Sequence, residues 1–416
     1  VELGLPTGAG VGADGLLDAV LGTGFEGEMR PNAIAAIAAI NAHPAPTVSV
    51  DVPSGVDASS GEVPGEVVKA DLTITFHRRK LAHAISPAGP HAGRVHVADI
   101  GLHATGGTSG EVAAPVARSA AARVGAEILR ELPLRRRGDN KYTAGHVLVV
   151  GGSTGLTGAP ALSALAALRT GAGVAVMCVP ASLNGIFEAQ RLEVMTQPCA
   201  DVAGALTGAA RATVVDAARR AGAVVIGPGL GPADATVELV LELLAELAVP
   251  VVLDADGLRA LNGRLETLRS RAAPTVLTPH AGELGRLLER PSAVVDAKRL
   301  ASVREAAELS GAVALLKGAD TMIAESTRER DETLVVDLGT PGLATAGTGD
   351  VLTGAIAAAL AKGVPPTRAA AIGATLCGTA SCIAGGRVGM SGLIASDVVE
   401  ELPAAVMAAH GVRTSK

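Results

Sequence analysis

The stretch TPGLATAGTGDVLTGAIAAALAKG, residues 340–363, holds a run of small residues and glycines that ends in Gly347-Thr348-Gly349-Asp350. An apolar segment of Val, Leu, Ile and Ala with helical character follows at once. A helix N-terminus carries unpaired N–H groups and a partial positive charge. Glycines let a backbone come close to a ligand, so such a loop can hold an anion such as phosphate. Asp is also a favoured N-cap. On this stretch alone, Asp350 reads equally well as a cap on a tight turn and as a group aimed at a ligand.

Working outward, an alternation of strands and helices surrounds it. HVLVV, VAVMCV, AVVIG, VPVVLD, PTVLT and VALLKG are continuous apolar runs between residues 146 and 318, as expected of strands buried on both faces. ATVELVLELLAELA and SAVVDAKRLASVREAAELSG lie among them and read as helices. The order predicts an α/β/α sandwich ending in helices. Nearer the front, LLDAVL, TVSVDV, DLTITF and RVHVADI are β-rich, with the helical NAIAAIAAIN between the first two, which predicts a smaller parallel sheet. The change of composition between them places one domain at 1–105, a linker at 106–124 and a second domain at 125–416. The sequence enters its first strand pattern quickly and has no starting Met, so it reads as a chain whose front is missing.

Composition narrows the function classes. A net charge of -6 argues against nucleic acid or an anionic membrane as main partner. With no Trp, one Tyr and three Phe, a ligand ring must be sandwiched by aliphatic groups and backbone. Cys178, Cys199, Cys377 and Cys382 form neither a CxxC pair nor a disulfide framework, and a reduced cytoplasmic chain is expected. The nine histidines show no metal-binding spacing. No run reads as spanning a bilayer; the nearest, AAAIGATLCGTASCIAGG at 369–386, reads as a buried helix.

In an open parallel sheet, ligands sit beyond the carboxyl ends of the strands. Six loops are candidates for that edge: GGSTGLTGAP, GPGLGP, DADGL, TPHAGE, KGADT and AGTGD. Each alone has a structural explanation as a turn or a cap; together in one unit they point to a site. Gly22, Gly24 and Gly27 with Asp51 mimic a dinucleotide fingerprint, but EGEMRPN intervenes and Pro31 opens the helix, so a dehydrogenase site is not the reading.

The ordered set GAP, GPGLG, LDADGL, TPHAGE, LLKGADT, GLATAGTGDVLTG and GLIASDVVEELP resembles the ADP- or ATP-dependent NAD(P)H-hydrate dehydratases, of the ribokinase-like superfamily. DAVLGTGFEG, VSVDVPSGVDASSGE and ADLTITFHRRKLAH resemble the carboxyl half of NAD(P)H-hydrate epimerase, a partial Rossmann-like domain. The resemblance implies dehydration of the S epimer of hydrated NADH or NADPH through a phosphorylated intermediate, with Asp350 as base. It implies dinucleotide contacts at Ala159, Gly231, His280 and Asp350, and nucleotide contacts at Lys317, Gly318, Ala319, Asp320, Thr321 and Gly349. Lys317 would offset phosphate charge, and Asp254 and Asp256 would hold water or Mg²⁺ near the phosphates. In the epimerase part it implies a K⁺ ion on Asp18 and Ser54. It also implies a substrate loop of Gly22, Thr23, Gly24, Phe25, Glu26, Gly27 and Glu28, with Asp51 as the acid/base group. The family's earlier Gly/Asn-rich motif does not occur in this sequence, so interconversion of the hydrate epimers is not expected of it. A homo-oligomer is expected. The other reading is a ribokinase-like kinase for a vitamin precursor, whose product would keep its phosphate.

Overall fold

A computed structural model describes residues 13–102, 121–190, 192–326 and 331–411, in two compact units that divide near residue 121. Most of the expected linker lies outside the described residues. Its end does not behave as linker: Ala122–Arg123 is a short strand, and Val124 is buried.

The first unit is a parallel four-stranded sheet with strands in chain order: Leu16–Asp18, Thr47–Val50, Leu72–Phe76 and Arg94–Ala98. Helix Pro31–Ala42 joins the first two and starts at its proline, which fixes a helical φ where no N–H is needed.

The second unit is built on a ten-stranded sheet. Across it run Ala122–Arg123, Asp331–Val336, Thr321–Ser326, Val313–Leu316, Thr275–Leu277, Val251–Leu253, Ala223–Ile226, His146–Val150, Val174–Pro180 and Met195–Cys199. All neighbours pair parallel except Thr321–Ser326, which is antiparallel to both of its own. The inner strands His146–Val150, Ala223–Ile226, Val251–Leu253 and Val313–Leu316 are buried at every position, as their continuous apolar runs require. The hairpin Thr321–Ser326 and Asp331–Val336 was not read from the sequence, and the expected helix at 292–311 is two, Ser292–Ala297 and Arg299–Ser310.

Helices Gly158–Arg169, Thr348–Ala361, Pro366–Val388 and Ala395–Ala409 pack on one another. Their small residues set the spacing. A Cβ at Gly354 would lie 2.1 Å from the Ser163 carbonyl oxygen, so the two backbones touch. Pro366–Val388 is long and apolar enough to cross a membrane, contrary to the sequence reading, but most of it is buried inside the unit, as a core helix is.

Candidate active site

Because five inner strands run parallel, their carboxyl-end loops share one edge of the sheet. The helix Thr348–Ala361 starts among them, and its start excludes Asp350 as its N-cap. The N-cap is Gly347, in left-handed backbone at φ 92°, and a Cβ there would lie 2.8 Å from Leu162 Cδ1 and 3.0 Å from Ala395 Cβ. Asp350 is the third residue of the helix and does not cap it. Its backbone carbonyl accepts from Ser163 Oγ at 2.9 Å and Thr353 Oγ1 at 2.8 Å. Burial, with the nearby charges of Asp254 and Asp256, pushes the Asp350 carboxyl up to about 7, against the opposing pull of Lys317.

Lys317 and Asp254 follow strands Val313–Leu316 and Val251–Leu253, which flank Thr275–Leu277 on this edge. Asp254 is 2 % exposed, and its Oδ1 accepts from Lys317 Nζ and from Thr278 Oγ1, both at 2.8 Å. Glu283 Oε2 lies 3.6 Å from Lys317 Nζ and accepts from the His280 backbone N–H at 2.8 Å. Burial opposes the charge of Lys317, but Asp254, Glu283 and Asp350 outweigh it and raise its pKa above the ordinary lysine value. His280 caps helix Ala281–Leu287: its Nδ1 accepts from Gly282 N at 2.9 Å and Glu283 N at 3.3 Å. Its Nε2 lies 3.6 Å from Glu283 Oε2.

The loops around Ala159 and Gly231 are locked together. Ser153 Oγ donates to Gly229 O at 2.9 Å, and Gly231 N donates to Asp256 Oδ2 at 2.9 Å. A Cβ on Gly229 would lie 3.3 Å from Ala159 Cβ. Asp256 thus holds a loop, and Asp254 holds Lys317. Among the described residues no three His, Cys, Asp or Glu side chains gather as a cage for a resident metal. Each of these carboxylates is held within the fold, and they do not fit a protein-held Mg²⁺.

A cavity of about 570 Å³ opens beside this cluster. Lys317, Gly318, Ala319 and Thr321 line it from one side, and Thr348 and Gly349 from the other. Leu338, Leu343 and Leu352 supply aliphatic walls, which suits a purine ring in a chain almost without aromatics. Asp320 does not line it; its side chain is buried in the fold. The cavity lining combines the Lys317 cation with aliphatic side chains, a combination that can take an adenine nucleotide.

In the first unit, loop residues Gly22, Gly24, Phe25, Glu26 and Glu28 line a cavity of about 530 Å³; Thr23, Gly27 and Asp51 do not. Asp18 is fully buried. Its Oδ2 accepts from Ser49 Oγ at 2.7 Å and Ser54 N at 2.9 Å, and its Oδ1 from Ser54 Oγ at 2.5 Å. Ser54 Oγ also donates to Leu21 O at 3.2 Å, so these oxygens form one buried, internally hydrogen-bonded cluster. Asp51, at φ 67°, pairs through Oδ1 with Lys80 Nζ and accepts from Thr75 Oγ1 at 2.8 Å. His83 Nε2 sits 2.8 Å from the Asp51 carbonyl oxygen. Burial opposes the charge of Asp51, but Lys80, Thr75 and the Phe76 N–H hold its carboxyl below the ordinary value.

Several of these groups escaped sequence reasoning: Thr278, Glu283 and Ser163 in the second unit, Lys80 and His83 in the first. Glu283 had a signal, three residues after His280 at a helix start, the spacing of a capping box. Ser163 had none, since its partner is 187 residues away.

Residues 147–404 match the family described as NAD(P)H-hydrate dehydratase, and residues 5–82 match the YjeF-related protein N-terminus. The chain belongs to the NAD(P)H-hydrate dehydratase family. Its similarity extends over both units: it is 39 % identical over 392 residues to a bifunctional NAD(P)H-hydrate repair enzyme of Moorella thermoacetica, covering 94 % of this chain and 72 % of that one. Among solved structures, the ADP/ATP-dependent NAD(P)H-hydrate dehydratase of Bacillus subtilis, co-crystallised with ATP and Mg²⁺, matches with a TM-score of 0.59 and 28 % identity, over 70 % of this chain and 99 % of that one. A ribokinase-like superfamily protein from Enterococcus faecalis matches in fold, with a TM-score of 0.58 and 24 % identity over 70 % of this chain and 96 % of that one. The second unit therefore has the ribokinase-like α/β/α fold.

Proposed function

We propose that the second unit restores hydrated NADH or NADPH to the native cofactor at the expense of ADP or ATP, acting on the S epimer. The carrying observation is Asp350: a carboxyl pushed up to about 7 at the N-terminus of the helix Thr348–Ala361, with Lys317 close by. Hydroxide is a poor leaving group from the hydrated ring. Phosphorylation improves it: the ring nitrogen lone pair then expels phosphate, and the iminium so formed loses a proton from the adjacent ring carbon to restore the double bond. Asp350 takes the hydroxyl proton as the oxygen attacks the terminal phosphorus of the nucleotide. The Gly349 N–H and Lys317 face the charge that gathers on the moving phosphoryl group. Ala159, Gly231 and His280 hold the dinucleotide, and the cavity beside Lys317 and Gly349 takes the nucleotide. Mg²⁺ carried on the nucleotide phosphates would supply charge neutralisation.

The first unit takes the same hydrated dinucleotide on the Gly22–Glu28 loop and Asp51, with K⁺ held by Asp18 and Ser54. The test for the whole reading is hydrated NADH with ADP or ATP, followed by NADH absorbance. Nucleotide-dependent recovery is expected. A stable phosphorylated product without NADH would assign a small-molecule kinase instead.

A further inference from the structure

The Lys317 ammonium is the one part of this site that a phosphate and the protein must share. It is hydrogen-bonded to Asp254, a nearly buried carboxylate. Asp254 Oδ1 is clamped by Thr278 Oγ1 at 2.8 Å and by Lys317 Nζ at 2.8 Å. The same pair abuts the catalytic helix: a Cβ on Gly349 would lie 3.5 Å from Lys317 Nζ and 3.8 Å from Asp254 Oδ2. Thr278 and Asp254 end neighbouring parallel strands, Thr275–Leu277 and Val251–Leu253, so the clamp is anchored in the sheet. Lys317 alone has a long flexible stem and would otherwise sample many positions.

We propose that Asp254 is a positioning residue for phosphoryl transfer, fixing the Lys317 ammonium at the mouth of the helix Thr348–Ala361 beside Asp350. The inference rests on the function proposed above. Asp254 acts in two ways. It holds the cation where the terminal phosphate arrives, and its negative charge keeps the Asp350 carboxyl basic enough to accept a proton. The charged groups facing Asp350 are Asp254, Asp256 and Lys317, and Glu283 faces Lys317 from the helix Ala281–Leu287. Asp254 and Lys317 push Asp350 in opposite directions, so their removal must move it in opposite directions too.

The test is the pH profile of nucleotide-dependent NADH recovery by the intact chain, with separate kcat and KM for the nucleotide. For Asp254→Asn the acid limb moves to lower pH by about one unit or more. Its kcat falls tenfold or more, and the nucleotide KM does not rise, because one negative charge has left the phosphate site. For Lys317→Met the acid limb moves to higher pH, which keeps the charge argument testable should Asp254→Asn not fold. An acid limb in Asp254→Asn at the wild-type pH, or a raised nucleotide KM with unchanged kcat, overturns the proposal. If the unmodified chain recovers no NADH, the function itself fails and the positioning role falls with it; if it does and only the variants disobey, the function stands.

Discussion

At the scale of single residues, Asp350, the proposed base, sits in surroundings that oppose its charge. Its folded pKa of about 7 lies above the ordinary 3.8. The protonated form is therefore bound more tightly by the folded chain than by the unfolded one. Its stabilising contribution is fully present below about 3.8 and is lost as pH rises through about 7. Asp350→Asn should lower turnover by ~10²–10⁴-fold, the range for a positioned general base. It should also melt higher than the native chain at pH 8 and alike near pH 4, since the amide resembles the neutral acid. Native turnover in that variant would end the role as base, and a lower melting temperature at pH 8 would end the burial argument. A second pair of substitutions separates the ligands. Lys317→Met should weaken ADP or ATP binding and spare the hydrated dinucleotide, and His280→Asn should do the reverse. Asn is chosen because it can keep the cap that His280 provides, which Ala would remove at a cost of about 1 kcal/mol. Calorimetric titration of each variant with both ligands reads the outcome. The opposite pattern would invert the assignment of the loops.

At the scale of elements, the site depends on two helices that touch through their backbones. Gly158–Arg169 carries Ala159 and Ser163, and Thr348–Ala361 carries Asp350. Ser163 reaches across to the Asp350 carbonyl because Gly354 leaves no side chain between them. Gly354→Ala gains about 1 kcal/mol in helix propensity. It places a Cβ 2.1 Å from a backbone oxygen, a contact no rotamer can relieve. Overpacking of this kind costs about 1–3 kcal/mol. The variant should melt lower despite its better helix former, with turnover reduced as Asp350 shifts. A raised melting temperature in a thermal scan would show that the helices part freely. The inner strands were legible as elements because burial on both faces leaves an unbroken apolar run. The hairpin Thr321–Ser326 and Asp331–Val336 was not: it follows directly on the KGADT loop, and its antiparallel pairing breaks the strand–helix alternation.

At the scale of the whole molecule, each unit has its own sheet and its own polar cluster. Chemistry in one should be removable without touching the other. Asp51→Asn loses the charged partner of Lys80 in the first unit. It should leave the dehydration rate of a single reactive epimer unchanged, while Asp350→Asn abolishes it. Rates with purified S epimer and saturating nucleotide, compared across the two variants, decide the matter. An equal loss in both would mean that the units do not divide the work.

The order of glycine-rich loops, the apolar runs between them and Asp350 at the head of an apolar helix were all set by local sequence. Backbone freedom, two-faced burial and helix-terminal charge are properties of short segments, and they survive being read in isolation. They carried the parallel sheets, the α/β/α architecture and the candidate loops. Local sequence left Asp350 undecided between cap and base, and only the folded chain placed Gly347 at the cap and Asp350 two residues inside the helix from its start. Folding also decided that Asp254 holds Lys317, that Asp256 ties down the loop at Gly231, that Asp320 turns away from the nucleotide cavity and that Lys80 pairs with Asp51. The contacts among these join groups tens of residues apart. Which carboxylate meets a cation, and how far burial shifts its charge, depends on packing that no short stretch of the chain contains.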